Sequence, residues 1–549
     1  MPKSANIESA APVLESTEAP AESLRELNVL ENRGEHAEPA RAPSLLRYAP
    51  AMVALLIVAA CGTNTADVDL WGHLRSGADL IARGHLPVRD PYAYSVNAPI
   101  WINHEYLSEA IFAWMYMHLG VVGLKLVRFV CASVMIVCMS GAVAETSAAI
   151  PIQFVVLVLT TSVIVPAIEF RPQIFTFAML SALLWMLVRD NFGRRAPLWL
   201  AIPMMILWCN LHGGFVVGLG ALGLYTGAVA ARDLIARRGL SHALYLGAIT
   251  AASVVATLFN PYGFAIWRSV LRTMSRPPMM SDIVEWHSLR WAMVEIWRMP
   301  NLSYIFDLEL GLMFAALVVS VAVAPFGDDL PLLAVAAAMI ASAISMFRNF
   351  PLALIASAAP LARHLSIAFY RRAPAAADPD PAPRASWLTQ TVLALLAVVL
   401  AIRLGIFSPA IDFMFTPPAG ALAFITEHDL RGNVLTPLIW ADYIIYHRAP
   451  KNRVFIDTRF EMIYPDRIAQ DFEDFQHNRE RAAAVLASYP HDFVMLAPDA
   501  TAVLLMNDSK DWKLVYRDDV ALLYARDDSA AARIPGVPIV RDSPPRIFP

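Results

Sequence analysis

The chain has 549 residues, of which 57% are apolar or aromatic and only 16% are charged, with a mean hydropathy of +0.50. Soluble chains carry closer to about a quarter charged residues, and disorder needs low hydropathy with high charge, so both are excluded over most of the length. A net charge of −4, from 43 basic and 47 acidic residues, offers no basic stripe and argues against nucleic acid as a partner. The surplus apolar surface requires lipid as its solvent. The length leaves room for about ten spans of roughly 20 residues and an aqueous domain.

Residues 1–46 are rich in Ala, Glu, Pro and Ser and have no apolar period. They are expected to form a disordered cytoplasmic tail rather than a signal peptide, since no basic segment leads into an apolar one. Apolar runs follow at about 49–66, 121–143, 150–168, 173–188, 197–211, 213–231, 242–259, 304–326, 330–347, 350–369 and 387–407, which makes eleven candidate spans within a membrane domain at 47–407. The runs at 173–188 and 197–211 are short and need tilt or local thinning to cross. A Pro-rich cytoplasmic linker covers 373–385. The four cysteines, Cys61, Cys131, Cys138 and Cys209, have no metal-site spacing and read as small buried hydrophobes.

Basic residues set the orientation. Arg189, Arg194 and Arg195 flank one short loop, Arg232, Arg237 and Arg238 another, and Arg363, Arg371, Arg372 and Arg384 a third. With alternating spans these loops and the N-terminal tail fall on one face, taken as cytoplasmic. The other face receives a long first loop (67–120), a second (260–303) and a small α/β domain (408–530), followed by a flexible end at 531–549. Within that domain 432–438, 453–458, 492–497 and 512–516 read as strands, 466–488 has helical period, and Asp518-Asp519 closes a hairpin.

The first loop opens Asp67-Val68-Asp69-Leu70-Trp71-Gly72-His73 as the chain leaves the first span. Leu70, Leu74, Leu80 and Ile81 then give an apolar helical face suited to the membrane interface. Two carboxylates and an imidazole there can bind a divalent cation or supply a general base; alternatively, Asp69 simply caps the helix. Downstream, Asp90-Pro91 forces a turn, and His104-Glu105 starts a second interfacial helix. The remaining polar residues near the spans gather at the same face: Glu169, Arg171 and Gln173, Asn210 and His212, Asn260, then Arg348 and Asn349. Ionisable groups at membrane depth are costly and are kept for function, so this clustering points to one shared cavity. A guanidinium at Arg171 or Arg348 suits a lipid phosphate or pyrophosphate.

These residues resemble the GT-C superfamily of polyprenyl-phosphate-dependent glycosyltransferases. They are especially similar to a large bacterial group of multispanning proteins whose first loop carries this pattern. The match runs through Asp67, Asp69, Trp71, His73, Leu74, Gly77, Gly84, Pro87, Asp90, Pro91, Tyr92, Tyr94 and Ser95. It continues at Trp101, His104, Glu105, Tyr106, Leu107 and Glu109, and at Arg171-Pro172-Gln173, Asn210 to Gly214, Asn260 to Gly263 and Arg348-Asn349. In the tail, Arg453 to Arg459 resembles that group's Val-Phe-Ile-Asp-Gly-Arg strand. Three positions depart from the group: Gly72 replaces a Trp, Thr458 replaces a Gly, and Ala441-Asp442 stands where Gly-Gly is common.

The resemblance implies a helical membrane enzyme of about eleven spans that takes a sugar from a polyprenyl-phosphate-type donor to an unidentified acceptor, with inversion. It would lie in the bacterial inner membrane with its tail domain periplasmic. It implies Asp69, with Asp67, as base or as ligand of a divalent cation such as Mg²⁺ or Mn²⁺. His73, His104, Glu105, Arg171, Gln173, His212, Asn260, Arg348 and Asn349 would bind substrate. A transporter or flippase for lipid-linked sugars, or a scaffold of envelope polysaccharide assembly, is the alternative; the first would need polar groups near the midplane.

Overall fold

In a computed structural model the chain is described at residues 49–62, 64–274, 327–370, 415–477 and 479–534. Shorter pieces are described at 286–288, 314–319, 397–399, 410–413 and 547–548, together with a few isolated positions. The N-terminal 1–46 segment, the 373–385 linker and most of the expected spans 304–326 and 387–407 lie outside these residues.

Among the described residues six helices are long and apolar enough to cross a membrane, and three shorter apolar helices accompany them at Ala49–Ala60, Leu198–Leu211 and Ser241–Ala256. Together they cover the nine expected spans that fall within the described residues. The fold is a polytopic helical membrane bundle with a small sheet domain. Its elements begin with α1 (Ala49–Ala60), then β1 (Thr65–Ala66) and α2 (Asp69–Arg83) in the first loop. The bundle continues with α3 (Tyr106–Glu145), α4 (Ile150–Ile164), α5 (Gln173–Asn191), α6 (Ala201–Leu211) and α7 (Phe215–Ile235). It is completed by α8 (Ser241–Ala256), α9 (Ala265–Met274), α10 (Leu330–Ser345) and α11 (Phe350–Tyr370).

The second span begins earlier than its hydropathy suggests. α3 starts at Tyr106 and changes direction at Gly120 (φ +58°, ψ −146°), so the expected interfacial helix and the expected span are one kinked element. Inside it Lys125 and Arg128 are buried and spend their charge on carbonyls. Lys125 Nζ donates to Ser408 O (2.7 Å) and Ala410 O (3.2 Å), and Arg128 Nη2 donates to Cys61 O (2.7 Å).

The amphipathic face of α2 is turned inward rather than toward lipid. Leu70, Trp71, Leu74 and Gly77 are buried, whereas Ile81, expected on that face, is exposed. At Gly77 a Cβ would collide with the Glu109 backbone carbonyl, so only glycine lets α2 and α3 approach this closely. Trp71 stacks on Phe413 (centroids 5.2 Å apart) and meets Tyr443, Tyr446 and His447 edge-on or tilted, which makes it the pivot between bundle and tail.

The tail comprises β2 (Ile411–Phe413), α12 (Ala419–Glu427), β3 (Gly432–Leu435), α13 (Leu438–Arg448), β4 (Asn452–Val454), α14 (Asp466–His477) and α15 (Arg479–Ser488). It continues with β5 (Phe493–Leu496), α16 (Ala502–Asp508), β6 (Trp512–Arg517), β7 (Leu522–Arg526) and β8 (Ile547–Phe548). Five strands form one sheet in the order β4-β3-β5-β7-β6, parallel at β4, β3 and β5 and antiparallel at β7 and β6. The first strand ends at Leu435 because Pro437 opens α13, and β4 ends at Val454, three residues short of Asp457. The end expected to be flexible includes β8, which pairs antiparallel with β2, while β2 pairs parallel with β1 beside Asp67.

The first loop is as much a part of the tail as of the bundle. Tyr92, Tyr94 and Trp101 bury their rings in the tail core. The backbone runs alongside β4: Tyr94 N donates to Val454 O (3.1 Å) and Val454 N to Tyr92 O (3.0 Å). Each such ring, taken out of water, contributes on the order of 1.5–3 kcal/mol.

Candidate active site

Asp67 and Asp69 stand where β1 hands over to α2. The helix is capped at Val68 with no side-chain hydrogen bond, and it is Asp67 Oδ1 that receives the Asp69 amide (3.4 Å). The Asp69 carboxylate is thus released from capping. It pairs instead with Arg171 Nη2 at 2.6 Å, while Arg171 Nη1 lies 3.5 Å from Asp67 Oδ2 and 3.9 Å from Glu169 Oε2. One guanidinium therefore gathers three carboxylates, all partly shielded from solvent.

A second group lies beside the first. Asn103 Oδ1 accepts the Glu105 amide (3.0 Å) at the start of α3, and Asn103 Nδ2 donates to Glu109 Oε2 (2.5 Å). Glu105 and Glu109 are four apart, so their carboxylates project from the same helical face. His73 Nδ1 meets Glu109 Oε1 at 3.3 Å. His212 Nε2 stands 3.4 Å from Glu105 Oε1, and His104 Nε2 stands 3.8 Å from it. The His212 tautomer follows from its other nitrogen: Nδ1 accepts the Gly214 amide (3.0 Å) and faces the Thr176 hydroxyl (2.8 Å), leaving the proton on Nε2 toward Glu105.

Burial and charge act together here. Burial pushes the Glu105 carboxyl up, with Glu109 and Asp69 adding and His73 and Arg171 opposing, to about 7. Burial alone would lower His73, but the Glu109 hydrogen bond and the charges of Glu105, Glu109 and Asp69 raise it to about 9. Burial lowers His104 to about 4. It also lowers His212 well below the usual imidazole range, reinforced by His104, Arg348, Arg171 and His73.

A cavity of about 220 Å³ is lined by Asp67, Asp69, His73, Glu105, Arg171, Gln173, His212 and Arg348, so the structure brings these expected residues together. Arg348 lies over the Trp286 ring, 4.2 Å from its centroid. Trp286, Glu105, Gln173, His212 and Arg348 also line a second cavity of about 340 Å³, which His104 and Asn349 join. Its remaining wall combines apolar residues, including Phe177, Val216, Val217, Val270, Met274 and Leu352, with the hydroxyls of Thr176, Thr273, Ser342 and Ser345. Asn260 is the exception. It lines neither cavity, and its amide closes a local turn onto Thr257 O and Gly263 O, the usual work of an Asn before Pro. At Asp67 and Asp69, where a divalent cation is expected, Arg171 already sits between the carboxylates; among the described residues the donors spaced for a metal are His73, Glu105 and Glu109, within 4.8 Å of one another.

The tail roofs the smaller cavity with Leu438, Ile439, Thr458, Arg459 and Met462, none singled out by sequence as ligands. Arg459 pairs with Asp457 (2.5 Å) and with Asp90 of the first loop (2.8 Å), joining the Asp-Pro turn to the segment that follows β4 in the tail. The three departures from the bacterial group prove to be neighbours. Thr458 Oγ1 donates to Asp442 Oδ2 (2.5 Å), and a Cβ at Gly72 would lie 2.9 Å from Asp442 Oδ1. Gly72 thus makes room for a carboxyl where the group has space for a Trp. Burial, with Asp457 and Asp69 nearby, pushes Asp442 well above the carboxylate range. Glu109 and Asn103 were also legible, since they flank Glu105 at helical and Asx-turn spacing.

No protein-family model matches this sequence, and neither does any curated protein. Among solved structures, the chain is similar to the Archaeoglobus fulgidus oligosaccharyltransferase in its apo form, at 11% identity and a TM-score of 0.52, over 82% of this chain and 69% of that one. ArnT from Cupriavidus metallidurans bound to undecaprenyl phosphate aligns at 11% identity with a TM-score of 0.45, over 89% of this chain and 98% of that one. At such identity the first likeness is one of fold.

Proposed function

We propose that this chain is a membrane glycosyltransferase that takes a sugar from a polyprenyl-phosphate-type donor and passes it to an acceptor at the face carrying the first loop. The carrying observation is the pairing of cavities. A polar one holds Asp69, Arg171, His212 and Arg348, and a neighbour whose wall includes Phe177, Val216, Val217, Val270 and Leu352 shares Arg348 and His212 with it. That pairing suits a substrate with an anionic head and a lipid chain.

In this reading Asp69 takes the proton from the acceptor as its heteroatom bonds to the sugar's anomeric carbon. The bond from that carbon to the phosphate oxygen breaks, and the lipid phosphate departs with inversion. Arg348 and Arg171 stabilise the charge that develops on the phosphate. Arg171 pairs with both aspartates and offsets one of their two charges, which orients the Asp69 carboxylate for the base role. The basic residues of the short loops support an orientation with the opposite face in the cytoplasm and the tail and the site outside.

The test is Asp69→Asn in proteoliposomes given a polyprenyl-phosphate hexose and envelope glycans as acceptors, reading release of polyprenyl phosphate. Transfer is expected to fall about 10³-fold with an unchanged unfolding midpoint. Turnover at the wild-type rate would overturn the assignment.

A further inference from the structure

His73, Glu105 and Glu109 lie beside the aspartates without joining them. They come from two elements packed at Gly77, and each offers one donor atom within 4.8 Å of the others. We infer that these three residues bind one divalent transition-metal ion of the zinc class, at a position separate from the Asp67–Asp69 pair.

Three observations carry this. First, the donor set mixes imidazole with carboxylate oxygens, the chemistry that zinc accepts at about 2.0–2.2 Å. Three protein ligands also leave a position open toward the 220 Å³ cavity that all three line. Second, His104 is 6% exposed; its Nδ1 has no hydrogen-bond partner among the described residues, and its Nε2 faces Glu105 across 3.8 Å, too far for a hydrogen bond. A buried imidazole aimed at a carboxylate it does not reach is placed to serve an ion that Glu105 holds. Third, the charges do not balance. Among the described residues Asp67, Asp69, Glu105, Glu109 and Glu169 surround the site, against Arg171, Arg348 and the His73 imidazole, because Arg459 is taken up by Asp457 and Asp90. Buried and half-buried carboxylates in such excess are stabilised by a dication. The supports are in place too: Asn103 holds Glu109 Oε2, leaving Oε1 toward His73, and the Glu105 backbone is fixed by the same Asn103.

The site does not depend on the transfer reaction and is tested without it. The full chain in nanodiscs, stripped with EDTA, is titrated with Zn²⁺ alone by calorimetry, with the unfolding midpoint read in parallel. The expected result is one ion per chain and a raised midpoint. Affinity should fall at least about tenfold in Glu105→Gln and in His73→Asn and change far less in Asp69→Asn, which removes no ligand. Two variants on different elements keep the test alive if one fails to fold. Absence of saturable binding, or binding lost in Asp69→Asn and kept in Glu105→Gln, would overturn it. Transfer assayed after chelation separates this outcome from the glycosyltransferase reading.

Discussion

The two ends of the membrane bundle treat their buried charge in opposite ways. At the end away from the first loop each acid has its own partner. Glu145 holds Arg189 (2.6 Å) and Arg194 (2.5 Å), and Asp329 holds Arg363 (2.5 Å) with His364 at 3.3 Å. Asp190 accepts from the Tyr225 hydroxyl (2.8 Å) and faces His242 (3.0 Å). At the loop end three acids share Arg171, and Glu105 faces imidazoles that burial keeps mostly neutral. Matched charge locks helices together. A surplus of one sign is expensive and persists where a ligand completes it.

The sharpest way to break this contrast is to remove one cation from each end. Arg171→Ala should cut transfer about 10²–10³-fold while leaving a folded bundle; transfer within tenfold of wild type would mean that the loop end is merely structural. Arg363→Ala, at the matched end, should cost about 2 kcal/mol of stability, since Asp329 keeps His364 and the guanidinium is partly exposed. Its transfer rate per folded molecule should be that of the wild type, as chemical unfolding combined with the transfer assay would show. A smaller effect marks the edge of the surplus at Asp442, whose carboxyl burial holds well above the usual range. Gly72→Ala should cost about 1–2 kcal/mol by crowding the Asp442 carboxyl, and Asp442→Gly in the same chain should recover most of that. Additive losses in the double variant would show that the two positions do not compensate.

Much of this was legible because hydropathy and charge act locally. Nine apolar runs became helices, and the acids at 67 and 69 declared themselves by their place at the mouth of a span. What stayed hidden depends on distant partners. Nothing near Gly72 announces Asp442, 370 positions away, and nothing near Asp90 announces Arg459. Asn260 misled for a physical reason: an Asn before Pro looks like a polar ligand, yet its amide is consumed by its own turn. The inward face of α2 misled likewise, since an amphipathic stripe looks the same whether it meets lipid or a neighbouring helix.

The contact of residues 92–94 with β4 has a consequence for how such a tail can change. A sheet grows by adding a strand to a free border. One border of this sheet is already occupied by the loop that carries the Asp-Pro turn, so an added strand there would have to evict it and sever Asp90 from Arg459. β6 is the border left for growth. Insertions that enlarge the roof, in evolution or by design, should accumulate there, on the side remote from the aspartates.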